Sequence, residues 1–581
     1  MKRFVLSFLC VSAFLVAAPA YAESGANPFG ITIVRFADGT TPAQMNAAVA
    51  KAGGDVVTDL SQVGAMAVAP GSKDFAARIG ANSRVTSFFP ESMFDGPVAN
   101  DGRGGGGPIG SPLAGRGKGR SVPDPWHDAL SFLGVTNPEG ILQWEDARMN
   151  VPTAWTKTLG DKSVRVAVVD SGIDDSHKEL KDNVAGKNQT FVPCKALKKQ
   201  FGEKALKQAG LTDCGKDDQE GHGTWVASRI AGELNGFASN GVAPRVQVSS
   251  YKVIAAGFGG LPDWIVAGLL AACSDRVDLV NISITGYLDP SDPTDAQTYL
   301  LFNDAVQYCR ARGVTIFSAA GNEHVRIDRI SMNVGGRPLA GVGRVSGGPD
   351  GIATTSPGAN SADFDLRGML ETPAGVPGVV MVSATNNAND AAPADDPFGF
   401  GMHVGARDQL AYYSSYGPRV DLAAPGGARR FNLPGWDGGD GNITYGGWGS
   451  LGALTAHGEI CTDPVESSLF NFACFKVDGA AFGWLQGTSM SSPNALGVAA
   501  LVISAKPQFR GDPGALVARL QATARRNMTN YTGPVDPGND LPTYDGRLCA
   551  TGYCHLDTSR RIGFSDAYGA GLLDAGAAVG S

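Results

Sequence analysis

The stretch Ser163–Ile173, SVRVAVVDSGI, decides how the rest of the chain reads. From Val166 to Val169 it is apolar at every position, with no alternation, and it ends on Asp170. A strand of that kind is covered on both faces, as in a parallel sheet between helices. The segments after it keep the same rhythm. GTWVASRIAGEL (223–234) reads as a helix, VQVSSYKVI (246–254) as a strand and PDWIVAGLLAACS (262–274) as a helix. VDLVNISI (277–284) is a strand, DAQTYLLFNDAVQYCRA (295–311) a helix and GVTIFSAAG (313–321) a strand. Apolar strands alternating with helices give an α/β fold of three layers.

In open parallel sheets, reactive groups collect beyond the carboxyl ends of the strands. Asp170 ends one strand, Asn322 ends another, and His222 in EGHGTWVAS stands where a helix begins. Ser489 in QGTSMSSPNALG (486–497) opens a later helix. Taken singly, each has an ordinary reading: a turn cap, a helix-start histidine, a turn asparagine, a helix cap. Taken together they are the parts of a nucleophilic site. A serine hydroxyl needs a base, and the base needs a third group to orient it. Histidine suits the base role, and a helix start beneath His222 is expected to keep the ring neutral. Asp170 would hold the other ring nitrogen. The Asn322 amide and the Ser489 N–H would stabilise an oxyanion. Gly221, Gly223, Gly321 and Gly487 remove Cβ atoms where backbone or substrate must come close.

The 581 residues are too many for one ordinary core. Net charge is −8, and no basic stripe carries interleaved aromatics, which argues against nucleic acid as a partner. Residues 1–22 read as an export signal: Lys2 and Arg3, an apolar run, then AYA at 20–22. No other run is long enough to span a membrane. Apart from Cys10, eight cysteines remain: Cys194, Cys214, Cys273, Cys309, Cys461, Cys474, Cys549 and Cys554. An oxidising compartment would pair them, and eight allow 105 pairings. Proximity favours 194–214, 461–474 and 549–554, which leaves 273–309. Zinc is the rival reading, but no CxxC and no HExxH is present.

Residues 23–94 read as a small α+β unit. ITIVRF (31–36), DVVTDL (55–60), GAMAVAP (64–70) and RVTSFFPE (84–91) are strands; TPAQMNAAVAKAG (41–53) and DFAARIGA (74–81) are helices. Residues 95–125, with GRGGGGPIGSPLAGRGKGR, form a glycine-rich linker. Residues 126–581 form the large domain. Two stretches without clear periodicity, about 325–376 and 428–482, are expected to be loops near the rim of the site.

The motifs VAVVDSGID, GHGTWVAS, AAGNE and GTSMSSP resemble those of the subtilases, the subtilisin-like serine peptidases. The chain order Asp, His, Ser is the one known for subtilisin. The resemblance runs from about Leu142 to YGAGLLDAGAAV near the end. It implies a three-layer catalytic domain in which Asp170, His222 and Ser489 form the triad and Asn322 is the oxyanion donor. By the same resemblance, Ser283, Ile284 and Thr285, with Gly257, Phe258 and Gly259, flank the substrate strand, and Ala320 and Gly321 form part of a specificity pocket. Thr285 departs from the glycine usual there, and Asn494 from the usual histidine. Asn494 is expected to matter for packing. Gln143, Glu179 and Asn235 fall where many subtilases bind calcium, with oxygen ligands that suit a hard cation. Glu179 replaces the usual aspartate. The acidic stretch Asp289–Asp295 is read as a solvated loop.

The resemblance further implies that residues 23–94 are a propeptide, an intramolecular inhibitor whose last strand enters the cleft until it is cut between Phe94 and Pro125. The expectation is an exported serine endopeptidase, secreted or periplasmic, made as a self-processing zymogen. It would act on protein or peptide substrates as a monomer and need no cofactor for the chemistry, with calcium as a possible structural ion. The alternative is a catalytically silent peptide-binding protein on the same fold. A nucleotide-binding reading of VAVVDSG is discounted, because no GxGxxG follows the strand.

Overall fold

The computed structural model describes residues 27–91, 143–185, 188–323, 325–347, 366–385, 410–411, 414–427, 450–462, 474–526 and 562–580. The expected signal, linker, propeptide cleavage segment and Cys549–Cys554 pair lie outside the described residues.

The N-terminal unit has the predicted elements: β1 (Thr32–Phe36), α1 (Pro42–Ala52), β2 (Gly54–Leu60), β3 (Ala65–Pro70), α2 (Phe75–Gly80) and β4 (Val85–Pro90). Thr41 and Gln44 form a capping box at the start of α1, and Gly53 (φ 85°) closes it in the left-handed region. The strands form an antiparallel sheet in the order β2-β3-β1-β4. One face carries α1 and α2 over Val34, Met66 and Val68. The other face, with Ile33, Leu60, Ala67 and Phe89, joins the core of the large domain.

The large domain is built on a seven-stranded parallel sheet. Its strands are β5 (Arg165–Asp170), β6 (Gln189–Thr190), β7 (Gln247–Lys252), β8 (Leu279–Ile282), β10 (Thr315–Ala319), β14 (Val379–Thr385) and β15 (Leu422–Pro425), in the order β15-β14-β10-β8-β5-β7-β6. Strand β5 is buried from Val166 to Asp170. Val166 and Val168 face one core with α3 (His222–Ala231) and α6 (Thr488–Ala505). Ala167 and Val169 face the other, with α4 (Pro262–Ser274) and α5 (Pro293–Arg310). Helices α4 and α5 thus lie between the large sheet and the N-terminal sheet, so the small unit seals a helical face that is apolar almost all round. Polar ties cross the same contact. Thr58 Oγ1 donates to Asp263 Oδ2 (2.5 Å), Glu91 Oε1 accepts from Asp263 N (2.9 Å), and Arg35 pairs with Asp304.

Among the described residues three disulfides are present: Cys194–Cys214, Cys273–Cys309 and Cys461–Cys474. Proximity favoured the first and third, and Cys273–Cys309 is the pair it left over.

Both stretches expected to be loops contain sheet, and that expectation is corrected. Strands β11 (Arg326–Val334) and β12 (Arg337–Gly347) form an antiparallel hairpin closed by Gly335 and Gly336, both at positive φ. The hairpin extends through β13 (Leu370–Thr372) to β9 (Gly286–Leu288). Its signal was the alternating burial of a one-faced strand beside a Gly-Gly turn. In the second stretch, β16 (Ser450–Leu454), β17 (Phe475–Val477) and β18 (Ala480–Leu485) form a three-stranded sheet. Trp225 of α3 donates from Nε1 to Gly483 O there (3.1 Å). The acidic stretch Asp289–Asp295 supplies a helix cap, since Asp292 accepts from Thr294 N and Asp295 N at the start of α5.

Candidate active site

Four loops beyond the sheet's carboxyl edge carry the residues singled out above. Asp170 and His222 are both fully buried, and His222 Nδ1 donates to Asp170 Oδ1 at 2.8 Å. A carboxylate can only accept, so the network assigns the ring proton to Nδ1. That leaves Nε2 as the basic nitrogen, buried and without a hydrogen-bond partner among the described residues.

The loop before His222 is organised by a residue the sequence reading missed. Asp218, fully buried, accepts through Oδ1 from Ser171 Oγ (2.9 Å), Glu220 N (3.1 Å) and Gly221 N (2.8 Å). Its Oδ2 accepts from Thr224 N (2.9 Å) and Thr224 Oγ1 (2.6 Å). It therefore caps α3 from four residues upstream and ties the His222 turn to the Asp170 turn. The two turns are in close contact: a Cβ on Gly223 would sit 2.1 Å from Gly172 O, so only glycine fits.

Charge around the ring reverses one expectation. Burial by itself favours neutral imidazole, as does the helix start. The Asp170 carboxylate, by charge and hydrogen bond, and then Glu220 and Asp218 by charge, outweigh burial and push His222 up to about 9.

Ser489 lies in the first turn of α6, where N–H groups have no acceptor within the helix. The turn is clamped to the end of β8. Ser283 Oγ donates to Ser489 O (2.9 Å), Ser489 Oγ to Ser283 O (3.3 Å), and Asn281 and Ser492 complete the chain. Ser489 Oγ thus rests on a backbone carbonyl in this conformation, and no hydrogen bond joins it to His222. Helices α3 and α6 pack directly on each other. Asn322 Oδ1 accepts from Thr488 N and Thr488 Oγ1, both at 2.9 Å, which orients the amide with its Nδ2 donors on the other side. Thr488 Oγ1 also accepts from Gly321 N (3.1 Å). Asn322, Gly321 and the Ser489 turn are therefore one hydrogen-bonded unit.

Ser283, Ile284 and Thr285 are buried at the end of β8, and Ala320 and Gly321 at the end of the neighbouring β10. The loop holding Gly257 and Gly259 is a tight turn closed by Ala255–Gly259 bonds. Phe258 is turned away into a stack with Trp264 and Phe29 of the N-terminal unit. Asn494 packs as expected: its Oδ1 accepts from Arg229 Nε and Nη2, and its Nδ2 donates to Pro425 O.

Of the residues expected to hold calcium, Gln143 Oε1 accepts from Asn240 N (2.7 Å), Glu179 Oε1 from Ala238 N and Ser239 N, and the exposed Asn235 Oδ1 from Phe237 N. Glu179 Oε2 is buried with no hydrogen-bond partner among the described residues.

The model of the subtilase family matches residues 161–571. Subtilisin amylosacchariticus of Bacillus subtilis subsp. amylosacchariticus is 26% identical over 387 residues, covering 67% of this chain and 66% of that protein. Subtilisin of Bacillus pumilus is 26% identical over 387 residues, covering 67% of this chain and 91% of that one. Among solved structures, the epidermin leader peptide processing serine protease (EpiP) of Staphylococcus aureus is similar in fold. Its TM-score is 0.55 at 17% identity, covering 94% of this chain and 97% of that one. With seven parallel strands, an aspartate bonded to a histidine at their carboxyl edge and a family match over most of its length, this chain belongs to the subtilase family.

Proposed function

We propose that the chain is an exported serine endopeptidase that hydrolyses peptide bonds through Asp170, His222 and Ser489, and that residues 23–94 are its propeptide. The observation that carries this is the buried 2.8 Å bond between Asp170 Oδ1 and His222 Nδ1, beside a helix start bearing Ser489. In this reading a rotation about the Ser489 Cα–Cβ bond moves Oγ from the Ser283 carbonyl to Nε2. Hydrogen bonds of this kind commonly tighten only with substrate bound. His222 takes the hydroxyl proton as Oγ attacks the scissile carbonyl. Asn322 Nδ2 and the Ser489 N–H receive the oxyanion. His222 then protonates the leaving amine, and water repeats the sequence on the acyl-enzyme. Asp170 stays ionised and steadies the imidazolium.

Three disulfides support an oxidising compartment, and among the described residues no helix is long and apolar enough to cross a membrane. The docking of residues 27–91 on α4 and α5 supports the propeptide reading, since the end of β4 reaches the α4 N-terminus beside the Gly257–Gly260 turn.

A fluorophosphonate probe tests the chemistry. Labelling at Ser489, abolished in Ser489→Ala, is the expected result; peptide binding without labelling would establish the silent scaffold instead. Self-processing is tested by length: Ser489→Ala stays near full length while the wild type shortens by the propeptide. Equal lengths would refute it.

A further inference from the structure

Strand β7 ends on Lys252, whose side chain is fully buried at the carboxyl edge of the sheet. Lys252 stands in register with Asp170 on β5 and with Thr190 on β6. Its ammonium joins segments that are far apart in the chain. Nζ donates to Asp213 Oδ2 (2.6 Å) and to Asp217 O (2.5 Å). Asp213 Oδ2 also accepts from Ala256 N (3.0 Å). Asp217 directly precedes Asp218, the carboxylate that organises the His222 turn, and Ala256 directly precedes the Gly257–Gly260 turn. One buried charge pair therefore touches the catalytic turn on one side and, on the other, the turn expected to flank the substrate strand.

Asp213 is itself held. It lies beside Cys214, which is bonded to Cys194, and the loop closed by that disulfide contains two short helices, Cys194–Phe201 and Glu203–Gln208. Leu197, Leu206 and Leu211 anchor this segment in the core that also holds Tyr251 and Val253 of the β7 end. The turn after Ala256 has a less ordinary backbone. Gly257 (φ 71°) and Gly259 (φ 98°) both lie in the left-handed region. The ring of Phe258 stacks on Phe29 of the N-terminal unit, with 6.0 Å between centroids, a contact that would leave with a propeptide. The bond from Ala256 N to Asp213 would stay, because both residues belong to the large domain.

Resting on the peptidase reading above, we propose that Lys252 and Asp213 are positioning residues for the substrate strand: they hold the Ala256–Gly260 turn at the spacing from Ser283–Thr285 that an added strand needs. A peptide bound as a strand draws its affinity from main-chain hydrogen bonds, which demand a fixed edge. A displacement of about 1 Å, caused far from the chemistry, can cost about 100-fold in rate. The reacting groups are unchanged by such a displacement, so the loss should grow with the length of peptide that lies along the turn.

The test uses the processed enzyme and a series of peptides that keep the residues next to the cut and lengthen the chain on either side. In wild type kcat/KM should rise with length. The double variant Lys252→Met/Asp213→Leu removes both charges at once, which avoids stranding one of them in the interior and commonly leaves stability unchanged or raised. In it the gain from the shortest to the longest peptide should shrink about tenfold or more, chiefly through KM, while the melting temperature holds. Asp213→Asn keeps an oxygen for Ala256 N and should lie between the two; it supplies the comparison if the double variant does not fold. A purely structural pair would lower the rates on every peptide, and the rate of fluorophosphonate labelling, by the same factor. That uniform loss, a length gain equal to the wild type's in variants that label, or wild-type rates indifferent to length overturns the positioning role alone. Wild type that never labels at Ser489 overturns the peptidase reading, and this proposal with it.

Discussion

His222 offers a sharp quantitative test. Its imidazole is pushed up to about 9 against the burial that opposes ionisation, chiefly by Asp170, then by Glu220 and Asp218. A rise of that size corresponds to about 3 kcal/mol in favour of the cation. At pH 7 about one ring in a hundred is then neutral, where an unperturbed ring would be neutral about three times in four. In the proposed mechanism only the neutral ring can take the Ser489 proton. Activity should therefore climb about tenfold per pH unit from pH 6 and level off only near 9. The perturbation is Glu220→Gln, which keeps the side chain's shape and leaves the Asp170 bond in place. Burial pushes the Glu220 carboxyl well above the usual carboxylate range, so it acts on the ring only once it ionises. Its removal should move the midpoint down. The assay is the second-order rate of fluorophosphonate labelling from pH 5.5 to 10, which avoids substrate side-chain contacts. The sign for stability is the opposite. A histidine raised above its unfolded value contributes stability that is complete below about pH 6.5 and lost as pH rises through about 9. The enzyme should work fastest where this residue stabilises it least. A wild-type midpoint below about 7.5, or the same midpoint in both proteins, would refute the electrostatic account.

Arg229→Ala should destabilise the fold by about 3–5 kcal/mol in a denaturant titration, because it strands Asp146 in the interior and unties Asn494. Adding Asp146→Asn should recover part of the loss. Glu179 is raised by burial to about 7, so its favourable contribution is complete below about pH 4.5 and lost as pH rises through about 7. Glu179→Gln should flatten the stability curve between pH 5 and 8 by up to about 3 kcal/mol, read by thermal melts.

The α/β class was legible because the strands are apolar throughout and the helices announce their ends. Thr41 with Gln44, Pro262 at a first turn and Gly53 at a last turn are local signals that tertiary packing did not overrule. The placing of Asp170, His222, Asn322 and Ser489 at the sheet's carboxyl edge was legible because the parallel sheet fixes where strand ends meet. Asp218 was not, since in DDQEGHG nothing marks which of two aspartates turns inward to accept five hydrogen bonds. Arg229 reads as a solvent-facing residue of an amphipathic helix, yet α3 is buried on every side and the guanidinium is held by Asp146, Asn240 and Asn494. The charge state of His222 was also out of reach. A helix start and three carboxylates pull in opposite directions, and only their packing decides which prevails. Glu371 was hidden for another reason: it is buried with no hydrogen bond to its oxygens among the described residues, which no local pattern encodes.

That buried carboxyl has a consequence for stability. A buried carboxylate without hydrogen bonds costs the fold about 1–3 kcal/mol, more when ionised. Glu371→Gln removes the charge and keeps the shape, so it should stabilise the protein. The sign follows from the raised carboxyl. A group of this kind contributes stability below its unfolded value and loses it as pH rises through its folded one, so the gain from the amide should be greater at pH 8 than at pH 5. In a domain of this size 1–2 kcal/mol moves the melting temperature by a few degrees. Were Glu371 a structural anchor completed by Ala374 and Gly375, the same substitution would lower the melting temperature at both pH values. The two outcomes have opposite signs. A variant that melts higher at pH 8 would mean that desolvation of the carboxylate outweighs the charge of Arg419 and the N–H groups of Ala374 and Gly375.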